Sequence, residues 1–391
     1  MALRKFQAQE LFDGKTLHAN QVLITDTEGK VLDIVPAEQA GADVEMFAGT
    51  LMPGFINAHC HLELSHLKDV IPPHTGLIEF LCSVVTKRGF DPAIIQEKIQ
   101  QAEQEMYQNG IVAVGDIGNT ADTASVKKQS RIHWQNFTEV LSFTDEKAEE
   151  SCLHFEGVAQ ELKKALADCQ LPHRTSLVPH APYSISPRSF EWINQATPGE
   201  VISLHNQEHP AEDDLYRTGK SEYLRLFKMF GIERSPFPVT GKSALRSVLP
   251  YFNQQQTILL VHNTSTPEED IVWAEQYAKE TGLTLIWCLC INANLYIENK
   301  VPPIEALMKN SCRIVLGTDS YSSNWQLSIA KELQALRDHF PSIPKETLLQ
   351  WATSSGARAL RWDETLGSFQ QGKKPGIVLL SENWETSTRL L

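Results

Sequence analysis

The feature that most constrains the fold is a regular alternation of short apolar segments with helical segments, beginning at residue 53. Eight apolar segments have the length and residue types of buried strands. They span residues 55–58, 111–116, 133–141, 175–179, 201–205, 258–262, 283–288 and 314–319. Helical patterns lie between them, for example at residues 93–108, 156–167, 268–281 and 304–310. Strands that alternate with helices form a parallel α/β sheet, and eight of them predict closure into a TIM barrel.

The regions outside this alternation predict further β-structure and two long loops. Residues 21–35 have β-branched runs on either side of Glu28-Gly29, which is typical of a hairpin. The stretch 366–380 is again turn and strand, and it could complete the small β-structure begun by residues 1–50. The stretches 62–90 and 209–256 are longer than connections need to be. We therefore expect them to build and cover a substrate pocket.

Composition excludes several classes of protein. A chain of 391 residues with 42% hydrophobic content can bury one large core, so we expect one large domain with an appendage. The formal net charge of −13 argues against a nucleic-acid partner. The seven cysteines fit reduced thiols better than a disulfide framework. The chain shows no signal peptide, and no stretch approaches the roughly 18 apolar residues of a membrane span, so we expect a cytoplasmic protein with no membrane partner.

Polar residues that can bind a metal or transfer a proton occur at the ends of several predicted strands. They are His59 and His61 at the first strand, His180 at the fourth, His205 at the fifth, His262 at the sixth and Asp319 at the eighth. Side chains alternate along a strand, so His59 and His61 share one face and Cys60 points to the other. The C-terminal ends of barrel strands carry the active sites of such enzymes. A surface or capping role explains each of these residues alone, but not the set.

Three histidines and one carboxylate, with one position left for water, suit Zn²⁺, and Fe²⁺ or Mn²⁺ stay open as alternatives. Such a metal lowers the pKa of its bound water to about 7. Glu208 lies three residues after His205, where its carboxylate can face a substrate. If burial raises its pKa, Glu208 can act as a proton donor. Cys288 and Cys290 form a CxC pair, which we interpret as buried thiols rather than metal ligands.

Six motifs carry a resemblance to a known family. They are MPGFINAHCHLELS, LVPHAPYS, SLHNQE, LLVHN, CINANLYI and VLGTDSYSSN, in this order. Together they resemble the amidohydrolase superfamily over the whole chain. The nearest branch contains the aminohydrolases related to guanine and cytosine deaminases, S-adenosylhomocysteine and aminofutalosine deaminases, and triazine hydrolases. The resemblance implies a distorted (β/α)8 TIM barrel of residues 53–364, with a small β-sandwich formed by residues 1–52 and 365–391.

The resemblance also implies roles for the matched residues. The metal ligands are His59, His61, His205 and Asp319. His262 matches a histidine that contacts water or substrate, and Glu208 matches the acid of an HxxE motif. His180 matches a substrate contact at the fourth strand, and Glu63 and Asn294 are further candidate substrate contacts. Binuclear members usually bridge two metals with a carbamylated lysine at the fourth strand, but this chain has no lysine between Lys164 and Lys220. One divalent metal ion is therefore expected.

These assignments predict a metal-dependent hydrolase that deaminates an aminated heterocycle and releases ammonia. We expect Asp319 to accept the proton of the attacking water, His262 to orient that water, and Glu208 to protonate the neighbouring ring nitrogen. The expected substrate is a neutral or weakly charged small molecule, a purine base or a nucleoside-like molecule. Hydrolysis of a cyclic or N-acyl amide at the same metal site is an alternative. A barrel that has lost catalysis and acts in binding is another alternative, but that interpretation expects missing ligands. A homodimer is left open.

Overall fold

The computed structural model describes residues 2–391, and fifteen strands and fourteen α-helices occur in them. The strands are β1 (Leu3–Phe12), β2 (Leu17–His18), β3 (Gln21–Asp26), β4 (Val31–Pro36), β5 (Glu45–Pro53), β6 (Phe55–Cys60), β7 (Ile111–Gly118), β8 (His133–Val140), β9 (Arg174–Pro179), β10 (Val201–Asn206), β11 (Thr257–His262), β12 (Thr284–Leu289), β13 (Ile314–Leu316), β14 (Ile377–Leu380) and β15 (Ser387–Arg389). All eight predicted strands of the alternating region are confirmed as β6 to β13.

The helices fill the connections between these strands. They are α1 (Leu77–Lys87), α2 (Pro92–Gln108), α3 (Ala124–Gln129), α4 (Ala148–Ala165), α5 (Pro187–Ala196), α6 (Pro210–Thr218), α7 (Tyr223–Met229), α8 (Ala244–Val248), α9 (Glu268–Thr281), α10 (Ile291–Glu298), α11 (Ile304–Lys309), α12 (Ile329–His339), α13 (Lys345–Ala352) and α14 (Ser354–Ala359). Short 3₁₀ segments include Leu62–Leu67 directly after the HxH motif. Along residues 2–391, no helix combines the length and the apolar character that a membrane crossing requires.

The central strands form two parallel four-stranded sheets, in the orders β6-β7-β8-β9 and β10-β11-β12-β13. The sheets approach each other at both pairs of edges. At one edge the His205 N–H donates to the His180 carbonyl oxygen at 3.0 Å. At the other, a parallel bridge joins Cys60 and Asp319, and the Thr318 N–H donates to the His59 carbonyl oxygen at 2.9 Å. The C-terminal ends of the eight strands therefore lie on one side.

Two predicted boundaries were wrong for physical reasons. The last strand was predicted to reach Asp319, but β13 ends at Leu316. Beyond Gly317 the chain leaves the ladder, because the N–H groups of residues 318 and 319 both donate to the His59 carbonyl oxygen across the seam. The helix predicted from residue 156 begins at Ala148. Its first turn carries Glu149 and Glu150, whose negative charges favour a helix N-terminus and were not counted as a start signal.

Both ends of the chain contribute to one seven-stranded sheet, in the order β15-β14-β5-β1-β3-β4 with β2 paired to β1. The predicted hairpin is present as the antiparallel pair β3–β4. Strand β14 from the C-terminal tail pairs antiparallel with β5, so the tail does complete the N-terminal β-structure. Phe6, Leu23 and Ile377 belong to a small separate core beneath this sheet. The division of the sheet into two sandwich layers stays a prediction.

Among residues 2–391, this arrangement produces two hydrophobic cores. The larger one fills the space within and around the eight parallel strands and includes the helices packed on them. The long stretches after β6 and β10 contain helices rather than extended loops, namely α1 in the first and α6 to α8 in the second. They lie at the same end of the molecule as the predicted site residues, because each follows the C-terminal end of a strand.

Candidate active site

The strand ends bring the predicted polar residues into one cluster. His59 lies in β6 and His61 directly follows it, and their ring centroids are 5.0 Å apart. His205 lies near the end of β10, and its ring centroid is 4.9 Å from that of His59. His262 is the last residue of β11, with its ring centroid 5.5 Å from that of His205. Residues separated by up to 203 positions therefore meet on one rim.

The side-chain atoms converge on a small volume. The Nε2 atoms of His61 and His205 are 3.3 Å apart. Asp319 Oδ1 lies 3.7 Å from His59 Nε2 and 3.5 Å from His61 Nε2. Candidate ligand atoms of His59, His61 and His205 all lie within 4.8 Å of one another, and the same holds for His59, His262 and Asp319. All of these side chains are buried.

This donor set fits a divalent metal ion. His59 Nε2 is buried without a hydrogen-bond partner. His205 Nδ1 donates to the His180 carbonyl oxygen at 2.8 Å, which leaves Nε2 as a lone-pair donor. Burial lowers the pKa of His61 to about 3 and the pKa of His205 well below its ordinary value. The imidazoles are therefore neutral at pH 7, as metal ligation requires.

Asp319 is held as a carboxylate. Burial alone would raise its pKa, but the neighbouring histidines, with His59 the strongest, outweigh burial and hold the pKa below its ordinary value. The Ser323 hydroxyl donates to Oδ2 at 2.6 Å, which fixes the carboxylate. Asp319 and His262 have φ angles of 57° and 72°, in the left-handed region that residues with a Cβ rarely adopt. Such strain persists where the surrounding structure holds it, most often at functional sites.

Glu208 and His262 form the second half of the cluster. The Nδ1 atom of His262 donates to Asn294 Oδ1 at 3.0 Å, so its Nε2 faces the site as an acceptor. That Nε2 lies 3.9 Å from Glu208 Oε2. Burial raises the pKa of Glu208 to about 7, which His262 partly opposes. A carboxyl group with this pKa can hold a proton at neutral pH and release it during a reaction.

A cavity of about 290 Å³ opens over the cluster. Its polar end contains His61, His205, His262, Glu208 and Asp319, together with His180. Its outer wall is apolar and is formed by Leu77, Phe80, Leu81, Val84 and Val85 of α1, and by Leu141, Phe143, Leu226 and Phe230. The stretches 62–90 and 209–256 both contribute to the lining, as expected. That this cavity binds the substrate stays a prediction. Arg88 is the one cationic side chain of the lining, and its Nη2 lies 3.6 Å from Glu63 Oε1.

Of the three predicted substrate contacts, one lines the cavity and two lie outside its lining. His180 lines the cavity, with Nδ1 at 2.6 Å from Ser184 Oγ. Glu63 does not line it, because its Oε2 accepts the N–H groups of Asn119 at 2.9 Å and Thr120 at 3.2 Å. Asn294 also lies outside the lining and holds the His262 ring. Direct substrate contact by Glu63 and Asn294 stays a prediction, and the observed contacts give both residues supporting positions instead.

Sequence reasoning missed Glu139, which lies at the end of β8 and lines the cavity. Burial, with Glu63 as the next contribution, raises its pKa to about 8. Its Oε1 lies 3.6 Å from His205 Nδ1. The sequence does contain a signal for this residue. Alternation along the strand places residues 135, 137 and 139 on one face, and an acid near the C-terminal end of a barrel strand lies at the rim that carries active sites.

A buried ion pair positions the HxH motif. Asp116, in β7, accepts the Leu62 N–H on Oδ1 at 2.8 Å, directly after His61. Its Oδ2 pairs with Lys127 Nζ at 2.5 Å, and both side chains are almost wholly buried. Removing one partner of such a pair is costly, since the other charge is left without compensation. The pair therefore fixes the chain where β6 ends.

Cys288 and Cys290 are buried free thiols, as predicted.

This chain is similar in sequence and in fold to several known proteins. Adenosine deaminase of Helicobacter pylori is 27% identical over 340 residues, covering 85% of this chain and 79% of that protein. A 5-methylthioadenosine/S-adenosylhomocysteine deaminase of Caldanaerobacter subterraneus is 23% identical over 373 residues, covering 92% and 79%. The solved structure of Helicobacter pylori aminofutalosine deaminase in complex with methylthio-coformycin aligns with a TM-score of 0.76 at 22% identity, covering 97% of this chain and 92% of that one.

The relatives are deaminases of the branch that the motifs predicted, and the shared fold extends over nearly the whole chain. The profile of the amidohydrolase family matches residues 50–389, which include every strand from β6 to β13 and all the clustered histidines. This family comprises metal-dependent hydrolases, in agreement with the buried histidine and aspartate donors. The chain therefore belongs to the amidohydrolase family.

Proposed function

We propose that the protein is a metal-dependent aminohydrolase that replaces the amino group of a heterocycle by oxygen and releases ammonia. The observation that carries this proposal is Glu208, a buried carboxyl group with a pKa raised to about 7 beside a cluster of neutral histidines and an ionised Asp319. Deamination of an aromatic ring needs both an activated water and a protonated ring nitrogen. Two acids with separated pKa values supply a base and an acid in one site.

His59, His61, His205 and Asp319 would hold one divalent metal ion, with Zn²⁺ as the first candidate and Fe²⁺ or Mn²⁺ as alternatives. Bound there, the ion supplies Lewis acidity and lowers the pKa of a coordinated water. His180 occupies the place after β9 where a bridging lysine would be needed for a second ion. This supports a single metal.

The protein's own groups would move the protons. Asp319 accepts a proton from the attacking water, and His262 orients that water through the Nε2 atom that Asn294 leaves free. Glu208 donates a proton to the ring nitrogen next to the carbon under attack. The resulting hydroxide adds to that carbon, and the C–N bond breaks as the amino group takes the proton held by Asp319 and leaves as ammonia. The hydroxyl proton of the adduct then returns to Glu208 as the product forms, which restores the acid. His180 contributes a neutral polar contact at the cavity wall.

The cavity supports a neutral or weakly charged substrate. Its outer wall is apolar, and its one cation, Arg88, is already near Glu63. An anionic group would find no free partner there, whereas an uncharged substituent gains from burial against α1 and Phe230. The relatives' names include adenosine and 5-methylthioadenosine, which supports a purine base or a nucleoside-like molecule.

The proposal also includes the domain organisation and the partners of the protein. The contacts at both seams support one distorted barrel formed by residues 53–364, with residues 1–52 and 365–391 as a small β-sandwich domain. A small molecule is the substrate, and neither nucleic acid nor membrane is a partner. The cytoplasmic location and a homodimer stay predictions.

A substrate screen tests the function. Metal-loaded protein is incubated with aminated purines, pyrimidines and their nucleosides and thioethers, and with cyclic and N-acyl amides. Ammonia and product mass are measured for each compound. Release of ammonia with NH₂ replaced by OH supports the proposal. Turnover of amides alone would instead assign amide hydrolysis to the same metal site.

A further inference from the structure

Glu139, a residue that lines the cavity, has one buried polar atom that neither the proposed metal ligands nor the proton transfers use. Glu139 Oε1 has no hydrogen-bond partner, although the side chain is only 4% exposed. The residue lines the same cavity as His205 and Glu208. A buried carboxyl oxygen without a hydrogen-bond partner is unfavourable, so such an atom suggests that a ligand supplies the missing hydrogen bond.

The remainder of the side chain is fixed. Asn119 Nδ2 donates to Glu139 Oε2 at 3.2 Å and to the Glu139 carbonyl oxygen at 2.9 Å. Asn119 is held in turn, because its N–H donates to Glu63 Oε2 at 2.9 Å. This chain of contacts orients the carboxyl group before any ligand arrives. A preorganised polar group of this kind gives specificity at low entropic cost.

Neighbouring protein groups do not satisfy the free oxygen. His205 Nδ1 lies 3.6 Å from it, beyond hydrogen-bonding distance. That Nδ1 already donates to the His180 carbonyl oxygen at 2.8 Å. The His180 carbonyl oxygen therefore orients the His205 ring, and Glu139 Oε1 can accept a hydrogen bond from a ligand or donate one to it.

We propose that Glu139 is a substrate-binding residue whose Oε1 forms a hydrogen bond with a second polar group of the heterocycle. The proposal rests on the deaminase function proposed above and adds a specificity determinant to it. The two carboxyl groups border the cluster from different strands, since Glu208 follows β10 and Glu139 is the last residue but one of β8. Glu208 protonates the ring nitrogen of the N=C–NH₂ unit, and Glu139 forms a hydrogen bond with a polar group on another edge of the same ring. The substrate class is thus an aminated heterocycle with an oxo group, a second amino group or a ring N–H.

Pairs of probes isolate this contact. The first pair is cytosine and 4-aminopyrimidine, and the second is 2,6-diaminopurine and adenine, in which only the first member carries the additional group. The ratio of kcat/KM within each pair is measured for wild-type protein, Glu139→Leu and Glu139→Gln, all loaded with metal. The intrinsic reactivity of each probe cancels when ratios are compared between variants. Glu161→Leu on the exposed face of α4 is the matched control.

We expect Glu139→Leu to lower the ratio in at least one pair by about 10- to 100-fold, which is the usual size of a lost buried hydrogen bond. Glu139→Gln keeps a polar atom at the same place and retains most of the preference. Glu161→Leu changes nothing. Metal content, measured by elemental analysis, stays the same in all four proteins.

Three outcomes would overturn the assignment. Unchanged ratios at unchanged rates in Glu139→Leu mean that Glu139 does not contact the ring. Equal losses for both members of a pair, or loss of metal, mean that Glu139 supports His205 or a metal ion instead. If no aminated ring is turned over or bound by wild-type protein, the proposed deaminase function itself fails. A normal rate with unchanged ratios would leave that function standing and remove only the role of Glu139.

Discussion

At the scale of single residues, the two acids of the cluster have opposite shifts of the pKa. Burial raises the pKa of Glu208 to about 7, whereas the histidines around Asp319 hold its pKa below the ordinary value despite burial. The same type of group is therefore a proton donor at one position and a base at the other. The shifts come from the environment, since both side chains are buried in the same cavity.

Replacing Glu208 by Gln should separate catalysis from metal binding. Because Glu208 lies 3.9 Å from His262 and is assigned to the substrate, the variant should keep its metal and lose about 10²- to 10⁴-fold in kcat. Asp319→Asn should lose both rate and metal. Elemental analysis measures the metal content of each variant, and steady-state kinetics measure its kcat. A metal-free Glu208→Gln protein would show that Glu208 is a metal ligand rather than a substrate contact.

The same acid predicts the pH dependence. A raised pKa means that Glu208 carries its proton below about pH 7 and loses it above. If the protonated form is the active one, kcat/KM should fall as the pH rises through about 7. The dependence of kcat/KM of the holoenzyme on pH, measured over about 1.5 units on either side of this pKa, tests the prediction. Glu208→Gln should lack the alkaline decline, and a profile with the same decline in both proteins would contradict the assignment.

Sequence reasoning could find the residues whose chemistry is rare at a strand end. Histidines after apolar runs, as at His205 and His262, are conspicuous because few other residue types bind metals there. Glu139 and Asn119 were missed because a glutamate or asparagine near a strand end is common and its partners are distant in sequence. Glu63 and Asn294 were placed at the substrate, but their hydrogen bonds to residues 119 and 262 became visible only with the packing.

At the scale of elements, the seam between β13 and β6 sets the distance between Asp319 and His59. Both Thr318 and Asp319 donate their N–H groups to the His59 carbonyl oxygen, at 2.9 and 3.1 Å. This close approach depends on Gly317. A Cβ atom at that position would lie 2.8 Å from His59 Cβ and 2.9 Å from the His59 carbonyl oxygen. Backbone cannot yield as a side chain can, so glycine is required there.

Gly317→Ala should therefore damage the site. We expect the end of β13 to move away from β6, which separates Asp319 from the histidines and lowers metal affinity. The change should also destabilise the fold by about 1–3 kcal/mol, the usual cost of overpacking a core. Metal titration and thermal unfolding are the measurements. Gly157→Ala is the control, because Gly157 lies in α4 with nothing within 4 Å of the added atom. An unchanged metal affinity in Gly317→Ala would contradict the role of the seam.

The pattern of elements was predictable because hydrophobic periodicity records burial directly. Strand β11 was predicted at residues 258–262 and begins one residue earlier. The end of β13 was not predictable, because it depends on the His59 carbonyl oxygen, which is far away in sequence. The two long stretches were identified by length alone. Their helices, such as α1 and α7, needed the tertiary structure that buries one face of each.

At the scale of the whole molecule, a metal ion should link the two four-stranded sheets. His59 lies in β6 of the first sheet and His61 directly follows it, whereas His205 lies in β10 of the second sheet and Asp319 follows β13. One ion bound by all four groups would therefore fasten both sheets. Binding to the folded state alone raises stability according to ligand concentration and affinity.

Purified protein should contain close to one equivalent of a divalent metal per chain, because only one complete set of neutral histidines with a carboxylate is assigned and His180 stands at the place of a bridging lysine. Chelation should abolish activity and lower the unfolding temperature, and returning Zn²⁺ should restore both. Two equivalents that persist after exhaustive dialysis would contradict the single site. A further group, Glu139, His180 and His205, whose candidate ligand atoms lie within 4.8 Å of one another, would then be the place to look.

The stoichiometry of ammonia tests the central claim most directly. Metal-loaded wild-type protein and metal-loaded Glu208→Gln are given the best aminated ring from the screen, and ammonia is counted against product identified by mass. The account predicts one ammonia for each product molecule, with NH₂ replaced by OH, the ring intact, and a large loss of rate in the variant. Ring opening without ammonia, or an equal rate in the two proteins, would contradict it.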